Sequence, residues 1–341
     1  MHRLIQFIEG QSSKVCLIGI WGMGGSGKTT TARAIYNQLH CKFVDKSFIE
    51  NIREACDHNI NGIIHLQEQL LSNILKTNEK IDSRASGIAT IEKRFMGKRA
   101  LIVLDDVSTF EQVQALCGNH KCFGSGSVLI VTSRDVRILD SPGYNVFRIK
   151  EMNESKSLEL FSWHAFRKSS PRADFSELSR SIVAYCGGLP LALEVIGSFL
   201  RGRTKQEWKS QLLKLKRIPN DEVQEKLKIS FKGLPDDHVK DIFLDICCFF
   251  IGKDRAYVTE ILNGCGLYAD IGISVLIERS LLKVEKNNKL GMHGLLRDMG
   301  REIVHKRSKK DFGKRSRLWF HEDVCDVLTN NTVRTFPTYN L

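Results

Sequence analysis

The sequence lacks the long apolar run that a membrane span requires. Its longest apolar stretch covers residues 242–251 and is interrupted by Asp245, whereas a transmembrane helix needs about 20 apolar residues. The stretch therefore predicts a core helix. The first residues also lack the apolar region and the cleavage site of a signal peptide. We expect a cytoplasmic protein without a membrane span, and the nucleus is the alternative compartment.

Proline, sequence repeats and paired cysteines are also scarce or absent. Only six of the 341 residues are proline, and no repeat or low-complexity tract is visible, which excludes collagen-like and wholly disordered chains. None of the ten cysteines forms a C-x-x-C pair. This spacing argues against a zinc site or a disulfide framework.

The basic residues are unevenly distributed along the chain. Lys and Arg outnumber Asp and Glu by 51 to 39, and nine basic residues against three acidic ones fall within 297–317. Such a patch is typical of contact with nucleic acid or an anionic surface. A solvated helix and loop in a larger assembly is the alternative that we favour.

The first half of the chain alternates short β-branched runs with helical patterns, which predicts a parallel sheet wrapped by helices. Runs such as LIVL and VLIV show no polar alternation, so both faces of the sheet are expected to be buried. The predicted strands are Val15–Ile20, Ser47–Asn51, Ala100–Leu104, Ser127–Thr132 and Asn145–Ile149.

From about Asn153 the pattern becomes helical. Helices are predicted up to about residue 280, and a hairpin centred on Asn287 and Asn288 follows them. Helices followed by a hairpin resemble a winged-helix domain. The predicted domains are a nucleotide-binding domain at 1–150, a helical bundle at 151–218, a winged helix at 219–310 and a tail at 311–341.

The segment GMGGSGKTT (22–30) fits the phosphate-binding pattern G-x-x-x-x-G-K-[ST] and lies between a predicted strand and a predicted helix. Gly24, Gly25 and Gly27 let the backbone turn tightly, so that its N–H groups can point at phosphate oxygens. Lys28 is expected to contact the β- and γ-phosphates, and the Thr29 hydroxyl to bind Mg²⁺.

A second segment, LIVLDDV (101–107), is an apolar strand that ends in two carboxylates. One carboxylate at such a strand end can hold Mg²⁺, and its neighbour can orient an attacking water. We assign the metal role to Asp105 and the polarising role to Asp106. Arg134 follows the next strand and would face the ligand crevice, where it could sense a γ-phosphate.

Two further segments have only structural interpretations on physical grounds. Pro190 lies in GGLPL (187–191), where proline at a first helical turn is ordinary. His293 lies in a short segment before a basic helix, and a single histidine is more often structural than a ligand.

Taken in order, the motifs resemble the NB-ARC module of plant intracellular immune receptors. The resemblance extends from about Ile18 to Asn331. Ser108 after LDDV, together with FLDICCFF and RSRLW, resembles the TIR-type branch. The motifs that carry it are GMGGSGKTT, LIVLDDV, GSVLIVTSRD, GGLPLAL, FLDICCFF, MHGLLRDMGREIV and RSRLWFHEDV.

The resemblance implies an α/β P-loop NTPase fold, followed by a helical bundle and a winged helix. It implies an ADP-bound switch that is activated by exchange for ATP and by oligomerisation with other immune receptor chains. Arg134 would be the sensor arginine, Pro190 would contact the base region and His293 would reach the β-phosphate. The implied phosphate-binding residues are Gly24, Gly25, Ser26, Gly27, Lys28, Thr29 and Thr30.

The sequence departs from the family pattern in three places. The usual Met-His-Asp reads Met-His-Gly here, so Gly294 lacks the carboxylate thought to support the closed state. The TIR domain and the upstream segment that lines the adenine are expected to be missing. No leucine-rich repeats follow Asn331, so a truncated product or a fragment that works beside full-length partners is expected.

Other functions remain open at this stage. A truncated adaptor or remnant with slow ATPase activity is one alternative, and an enzyme with steady ATP turnover is another. The winged helix and the basic stretch are also compatible with a DNA-binding regulator, although the family uses this domain for nucleotide gating. We therefore expect nucleotide, with Mg²⁺, as the ligand and regard nucleic acid as an unfavoured partner.

Overall fold

The computed structural model describes residues 2–11, 14–76, 79–307, 316–319 and 321–329. The chain divides into two compact units, Met1–Lys150 and Glu151–Leu341. The division of the second unit into bundle, winged helix and tail stays a prediction, and 308–315 of the basic stretch lie outside the described residues.

A five-stranded parallel sheet forms the centre of the first unit, with the strand order β2-β3-β4-β1-β5. The strands are β1 (Cys16–Trp21), β2 (Asp45–Ile49), β3 (Ala100–Val107), β4 (Val128–Ser133) and β5 (Tyr144–Arg148). The helices around them are α1 (His2–Glu9), α2 (Lys28–Leu39), α3 (Ile52–His58), α4 (Gly62–Leu75), α5 (Arg84–Phe95) and α6 (Phe110–Cys117). The five predicted strands and the α/β fold are thereby confirmed.

Both faces of the sheet are buried, as the unbroken apolar runs predict. Alternate residues along each strand belong to two separate hydrophobic cores: Leu17 and Ile102 face one, whereas Ile18 and Val103 face the other. Because successive side chains point to opposite faces of a strand, an apolar run without alternation covers both.

The second strand ends two residues earlier than the sequence predicts. Asn51 adopts a left-handed conformation with φ 52°, which ends the extended chain, and helix α3 begins at the next residue. Neither α3 nor the N-terminal helix α1 was predicted, since each spans only two turns or so.

The second unit is mainly helical. Its helices are α7 (Glu154–Phe166), α8 (Ser176–Cys186), α9 (Pro190–Leu200), α10 (Lys205–Arg217), α11 (Asp221–Lys232), α12 (Asp237–Asp245), α13 (Arg255–Gly264), α14 (Ala269–Glu278), α15 (Gly294–Arg307) and α16 (His321–Thr329). Trp208 is buried among Phe161, Phe166 and Phe175. Its indole N–H donates to the Leu200 carbonyl at 3.0 Å, so the polar group of this buried tryptophan is satisfied.

The winged-helix pattern is confirmed in α12 to α14 and the antiparallel hairpin β6 (Lys283–Val284) and β7 (Leu290–Gly291). Asn288 lies in the turn with φ 56°, a conformation that asparagine tolerates well.

The apolar run of the sequence is one helix with two geometries. Its α-helical part ends at Asp245, and Ile246–Phe250 continue as a π-helix. Arg317 pairs with Asp245 at 2.5 Å and with Asp241 at 3.1 Å. An acid is therefore tolerated in this run because a basic side chain neutralises it. Within the described residues, no helix combines the length and the apolar character of a membrane span.

Candidate nucleotide-binding site

The loop between β1 and α2 has a backbone that glycine makes possible. Gly22, Gly25 and Gly27 have φ of 152°, 77° and 90°, a region that other residues rarely adopt. A Cβ on Gly22 would also lie 3.0 Å from the carbonyl oxygen of Ile149. Gly24 and Gly25 lie at the centre of a turn in which the Ser26 N–H donates to the Met23 carbonyl at 3.2 Å. Gly22 is a further positive-φ position that the sequence prediction did not include.

The Lys28 side chain is buried beneath this loop. Its ammonium donates to the carbonyl oxygens of Gly22 and Met23, both at 2.9 Å. Burial, together with the charge of Arg134, lowers the pKa of Lys28 to about 7. The ammonium has therefore lost hydration, and the nearby carboxylates do not compensate for that loss.

Ser26 provides a second sign that the loop is built for a ligand. Its hydroxyl oxygen is buried and has no hydrogen-bond partner in the part of the chain that the structure describes. Buried polar atoms are nearly always paired in native proteins, so a ligand is expected to satisfy this one. The loop also opens onto the N-terminus of the 12-residue helix α2, which favours an anion.

Thr29 and Asp105, the two residues predicted to hold Mg²⁺, are in direct contact. The Thr29 hydroxyl donates to both carboxylate oxygens of Asp105, at 2.9 and 3.0 Å. Thr132 donates to Asp105 at 2.7 Å. Burial raises the pKa of Asp105, and the hydrogen bonds from Thr132 and Thr29 oppose that shift. A hydroxyl and a carboxylate supply the oxygen ligands that Mg²⁺ prefers.

Asp106 lies at a local irregularity of the sheet. Its φ is 54°, and the register between β3 and β4 shifts between Leu104 and Val107. The backbone N–H of Asp106 donates to the Thr132 hydroxyl at 2.9 Å rather than to a strand carbonyl. The Asp106 side chain therefore points in a different direction from that of a residue in a regular strand.

Two arginines pair with the carboxylate of Asp106. Arg53 contacts Oδ2, and Nε of Arg134 lies 3.3 Å from Oδ1. Burial alone would raise the pKa of Asp106, but the charges of Arg134 and Arg53 outweigh it and hold the pKa below its ordinary value. A carboxylate with both oxygens in ion pairs is a weak base.

Arg53 was not recognised in the sequence as a site residue. It is the second residue of α3, directly after the carboxyl end of β2. Since the carboxyl ends of parallel strands share one edge of the sheet, its position four residues after Ile49 was the available signal. That signal was missed because α3 itself was not predicted.

The arrangement as a whole suits an anion. Three cationic side chains and two carboxylates converge at this sheet edge: Lys28, Arg53, Arg134, Asp105 and Asp106. With every group ionised, they carry a surplus of one positive charge. Of the remaining predicted phosphate ligands, Thr30 is exposed in the first turn of α2.

Pro190 and His293 belong to the second unit, where they form a local arrangement of their own. Pro190 opens helix α9. Nε2 of His293 donates to the Gly187 carbonyl at 3.0 Å, and Nδ1 accepts the Leu295 backbone N–H at 3.2 Å. Burial lowers the pKa of His293, so the ring is neutral near pH 7 and its proton is on Nε2. The GGLPL and MHG segments therefore meet within one unit.

Comparison with protein-family models gives two matches. The NB-ARC domain model matches residues 1–171, which is half of the chain. The model described as disease resistance protein Roq1-like, winged-helix domain, matches residues 236–308. The second match covers α12 to α14 and the hairpin described above.

The curated relatives include plant disease resistance proteins. RUN1 of Vitis rotundifolia is 42% identical over 329 residues, which make up 96% of this chain and 24% of that protein. TMV resistance protein N of Nicotiana glutinosa is 36% identical over 97% of this chain and 29% of its own length. The chain thus spans less than a third of these relatives.

A solved structure supports the fold. The Walker-type ATPase paby2304 of Pyrococcus abyssi matches with a TM-score of 0.58 at 13% identity, over 88% of this chain and 95% of that one. The loop geometry, the winged helix and the family matches agree with the motif-based identification as the NB-ARC module of a TIR-type plant disease-resistance protein. This chain therefore belongs to the NB-ARC domain family.

Proposed function

We propose that the chain is a nucleotide-operated switch module of plant defence. It binds ADP at rest, exchanges it for ATP and then associates with other immune receptor chains. The likeness to plant disease resistance proteins supports the role in defence. The NB-ARC match supports nucleotide as the ligand.

One observation carries the nucleotide part of the proposal. The loop Gly22–Lys28 combines positive-φ glycines, a desolvated ammonium and a buried hydroxyl without a partner. The desolvated ammonium and the unpaired hydroxyl each cost free energy in the free protein, and a phosphate group would offset both, while the glycines let the backbone N–H groups approach it.

Thr29 and Asp105 are the residues proposed to hold Mg²⁺. When bound, the ion would neutralise part of the phosphate charge. Asp105 orients Thr29 through their hydrogen bonds, and Thr132 in turn fixes Asp105. The threonine hydroxyl is thus held in place before any ligand arrives.

The same site supports holding a nucleotide rather than rapid turnover. Asp106, the residue expected to polarise an attacking water, has both oxygens in ion pairs. Its basicity is therefore low, and we propose that hydrolysis is slow at most. His293 is proposed to contact the β-phosphate, and Pro190 the base. When nucleotide is held, the Nε2–H group of His293 would donate to the phosphate instead of to the Gly187 carbonyl.

The test is to identify, by mass spectrometry, the nucleotide released from purified and denatured protein. We expect ADP in about one-to-one ratio with the chain. Lys28→Ala should carry none, because the phosphates lose their buried cation. Lys42→Ala is the matched control, since Lys42 is an exposed lysine that pairs with Glu9.

An empty wild-type protein that is folded and binds neither ADP nor ATP on addition would refute the proposal. ADP retained by Lys28→Ala would refute the site, because binding would then lie elsewhere. A steady turnover of about 1–100 per second, typical of phosphoryl-transfer enzymes, would replace the switch by an ATPase.

A further inference from the structure

Arg53 is an arginine of the site for which neither the motifs nor the proposed function provides a role. Its side chain is 16% exposed and its partner Asp106 is 18% exposed, so the pair is largely removed from water. An ion pair in such a place is retained at a desolvation cost.

The position of Asp106 creates a specific difficulty for a triphosphate. Asp105 contacts Thr29 of the phosphate-binding loop, and Asp106 is the next residue. A carboxylate close to the phosphates repels a nucleotide, and the repulsion grows with the negative charge of the nucleotide. It also competes for Arg134, whose Nε lies 3.3 Å from it and which is the proposed γ-phosphate sensor.

We infer that Arg53 is a positioning residue that neutralises Asp106 and thereby sets the preference of the site for nucleoside triphosphate over diphosphate. The inference rests on the proposed function, because it requires that the loop bind both nucleotides. Arg53 acts through Asp106, by occupying the carboxylate so that Arg134 can exchange it for a γ-phosphate.

The direction of the effect follows from the charges. Without Arg53, Asp106 is paired with Arg134 alone, so that Arg134 is held more firmly and the negative charge is less compensated. ADP ends at the β-phosphate, which the Lys28 loop binds, so its affinity depends less on Asp106. ATP carries an additional phosphate. Without Arg53, this phosphate loses the contact with Arg134 and is repelled by the uncompensated charge of Asp106.

The experiment measures the dissociation constants of ADP and of a non-hydrolysable ATP analogue, both with Mg²⁺, for wild type and Arg53→Gln. We expect Arg53→Gln to weaken the ATP analogue by about tenfold or more, the size of one poorly screened charge, and to weaken ADP by less than about threefold. Arg53→Lys, which keeps the charge, should recover part of the loss.

Arg33→Gln is the matched control. Arg33 lies in α2 and pairs with Glu50, with about half of its side chain exposed, so the substitution removes the same charge from the same unit without touching Asp106. We expect both dissociation constants to stay within about twofold of wild type, as for an exposed pair.

Asp106→Asn separates action through the carboxylate from direct contact with phosphate. By itself it should tighten the ATP analogue relative to ADP, since both arginines are released. In the Asp106→Asn background, Arg53→Gln should no longer change the ratio of the two constants. If Arg53→Gln does not fold, Arg53→Lys tests Arg53 by a smaller loss of the same sign, and Asp106→Asn tests the carboxylate.

Three results would overturn the inference. Equal weakening of both nucleotides by Arg53→Gln would give Arg53 a merely structural role. A loss that persists in the Asp106→Asn background would mean that Arg53 acts directly on the phosphate. A ratio unchanged by Asp106→Asn alone would show that the carboxylate does not govern the preference. Wild type that binds neither nucleotide would instead refute the proposed function, and the inference with it.

Discussion

Lys28 illustrates how a single buried cation couples the site to pH. In the free chain its ammonium has two carbonyl partners, at 2.9 Å each, and burial, with the charge of Arg134, lowers its pKa to about 7. A bound phosphate favours the charged form and so raises that pKa. Between pH 7.5 and 9, where the lysine is mostly neutral before binding, nucleotide binding must therefore take up a proton.

The expected result is an ADP affinity that falls as pH rises through this window, by at most about tenfold per pH unit for one proton. The terminal phosphate, with its second pKa near 6, is already ionised there and adds little. Calorimetry in buffers of different ionisation enthalpy measures the proton directly. Lys28→Arg should bind with a flat pH profile; a flat profile in wild type would contradict the argument.

Gly187 is a residue at which two separate physical requirements coincide. Its φ is 59°, which disfavours any side chain, and an added Cβ would lie 2.7 Å from Nε2 of His293. Gly202 has φ 74° but no atom within 4 Å of such a Cβ. The two glycines share a left-handed backbone that would strain any other residue, and of these two only Gly187 lies close to a histidine.

Gly187→Ala is therefore expected to cost more stability than Gly202→Ala. We expect about 1–2 kcal/mol from the left-handed backbone at either position, and about 1 kcal/mol more at Gly187 for the displaced hydrogen bond. Urea unfolding measures both. The excess should vanish in a His293→Ala background, and equal costs at the two glycines would show that the ring moves aside freely.

At the scale of the secondary-structure elements, helix α15 has an unusual first residue. It begins at Gly294, where the family pattern has an aspartate. The glycine is exposed, and nothing lies within 4 Å of an added Cβ. A side chain can therefore be introduced here without steric cost, and an acid at a helix N-terminus is favourable.

Gly294→Asp should raise the free energy of unfolding by about 1 kcal/mol, from lower backbone entropy and from the helix dipole. Gly294→Ala supplies the backbone part alone and is the control. If the missing carboxylate also weakens the closed state, Gly294→Asp will slow ADP release in stopped-flow measurements. An unchanged off-rate beside the raised stability would limit the role of the carboxylate to the helix.

Other elements depend on contacts between motifs that are distant in the sequence. Arg317 of RSRLW binds Asp245 of FLDICCFF at 2.5 Å, and Arg301 donates to the Cys247 carbonyl at 3.1 Å. A π-helix displaces carbonyls from their usual partners, and Arg301 satisfies one of them. These motifs therefore identify a structural junction of the second unit rather than a chemical site.

For the molecule as a whole, the proposed switch requires that nucleotide affect both units. We expect ADP with Mg²⁺ to increase hydrogen-exchange protection in 22–30 of the first unit and in 187–193 and 292–296 of the second. At an ADP concentration 100-fold above the dissociation constant, the stabilisation should be about 2.7 kcal/mol. His293→Ala is expected to remove the protection of the second unit and to leave that of the first. Protection confined to the first unit in wild type would contradict a switch that joins the two.

The sequence by itself was sufficient for the parallel sheet, the phosphate-binding loop and the paired carboxylates. Each depends on interactions between near neighbours: apolar runs that cover both faces of a sheet, glycines that allow a turn, and a lysine at the start of a helix. The winged helix was recognisable for the same reason, because its helices and hairpin have local periodic patterns.

The tertiary structure alone decided which charges meet. The pairing of Asp106 with Arg53 and Arg134 joins residues from three different strand ends, and His293 reaches Gly187 across 106 positions of sequence. Such contacts follow from strand order and helix placement, which short-range patterns do not encode. The local sequence therefore determined the groups that can bind a nucleotide, whereas the fold determined which of them restrain one another, since burial and proximity control the energy of a charge.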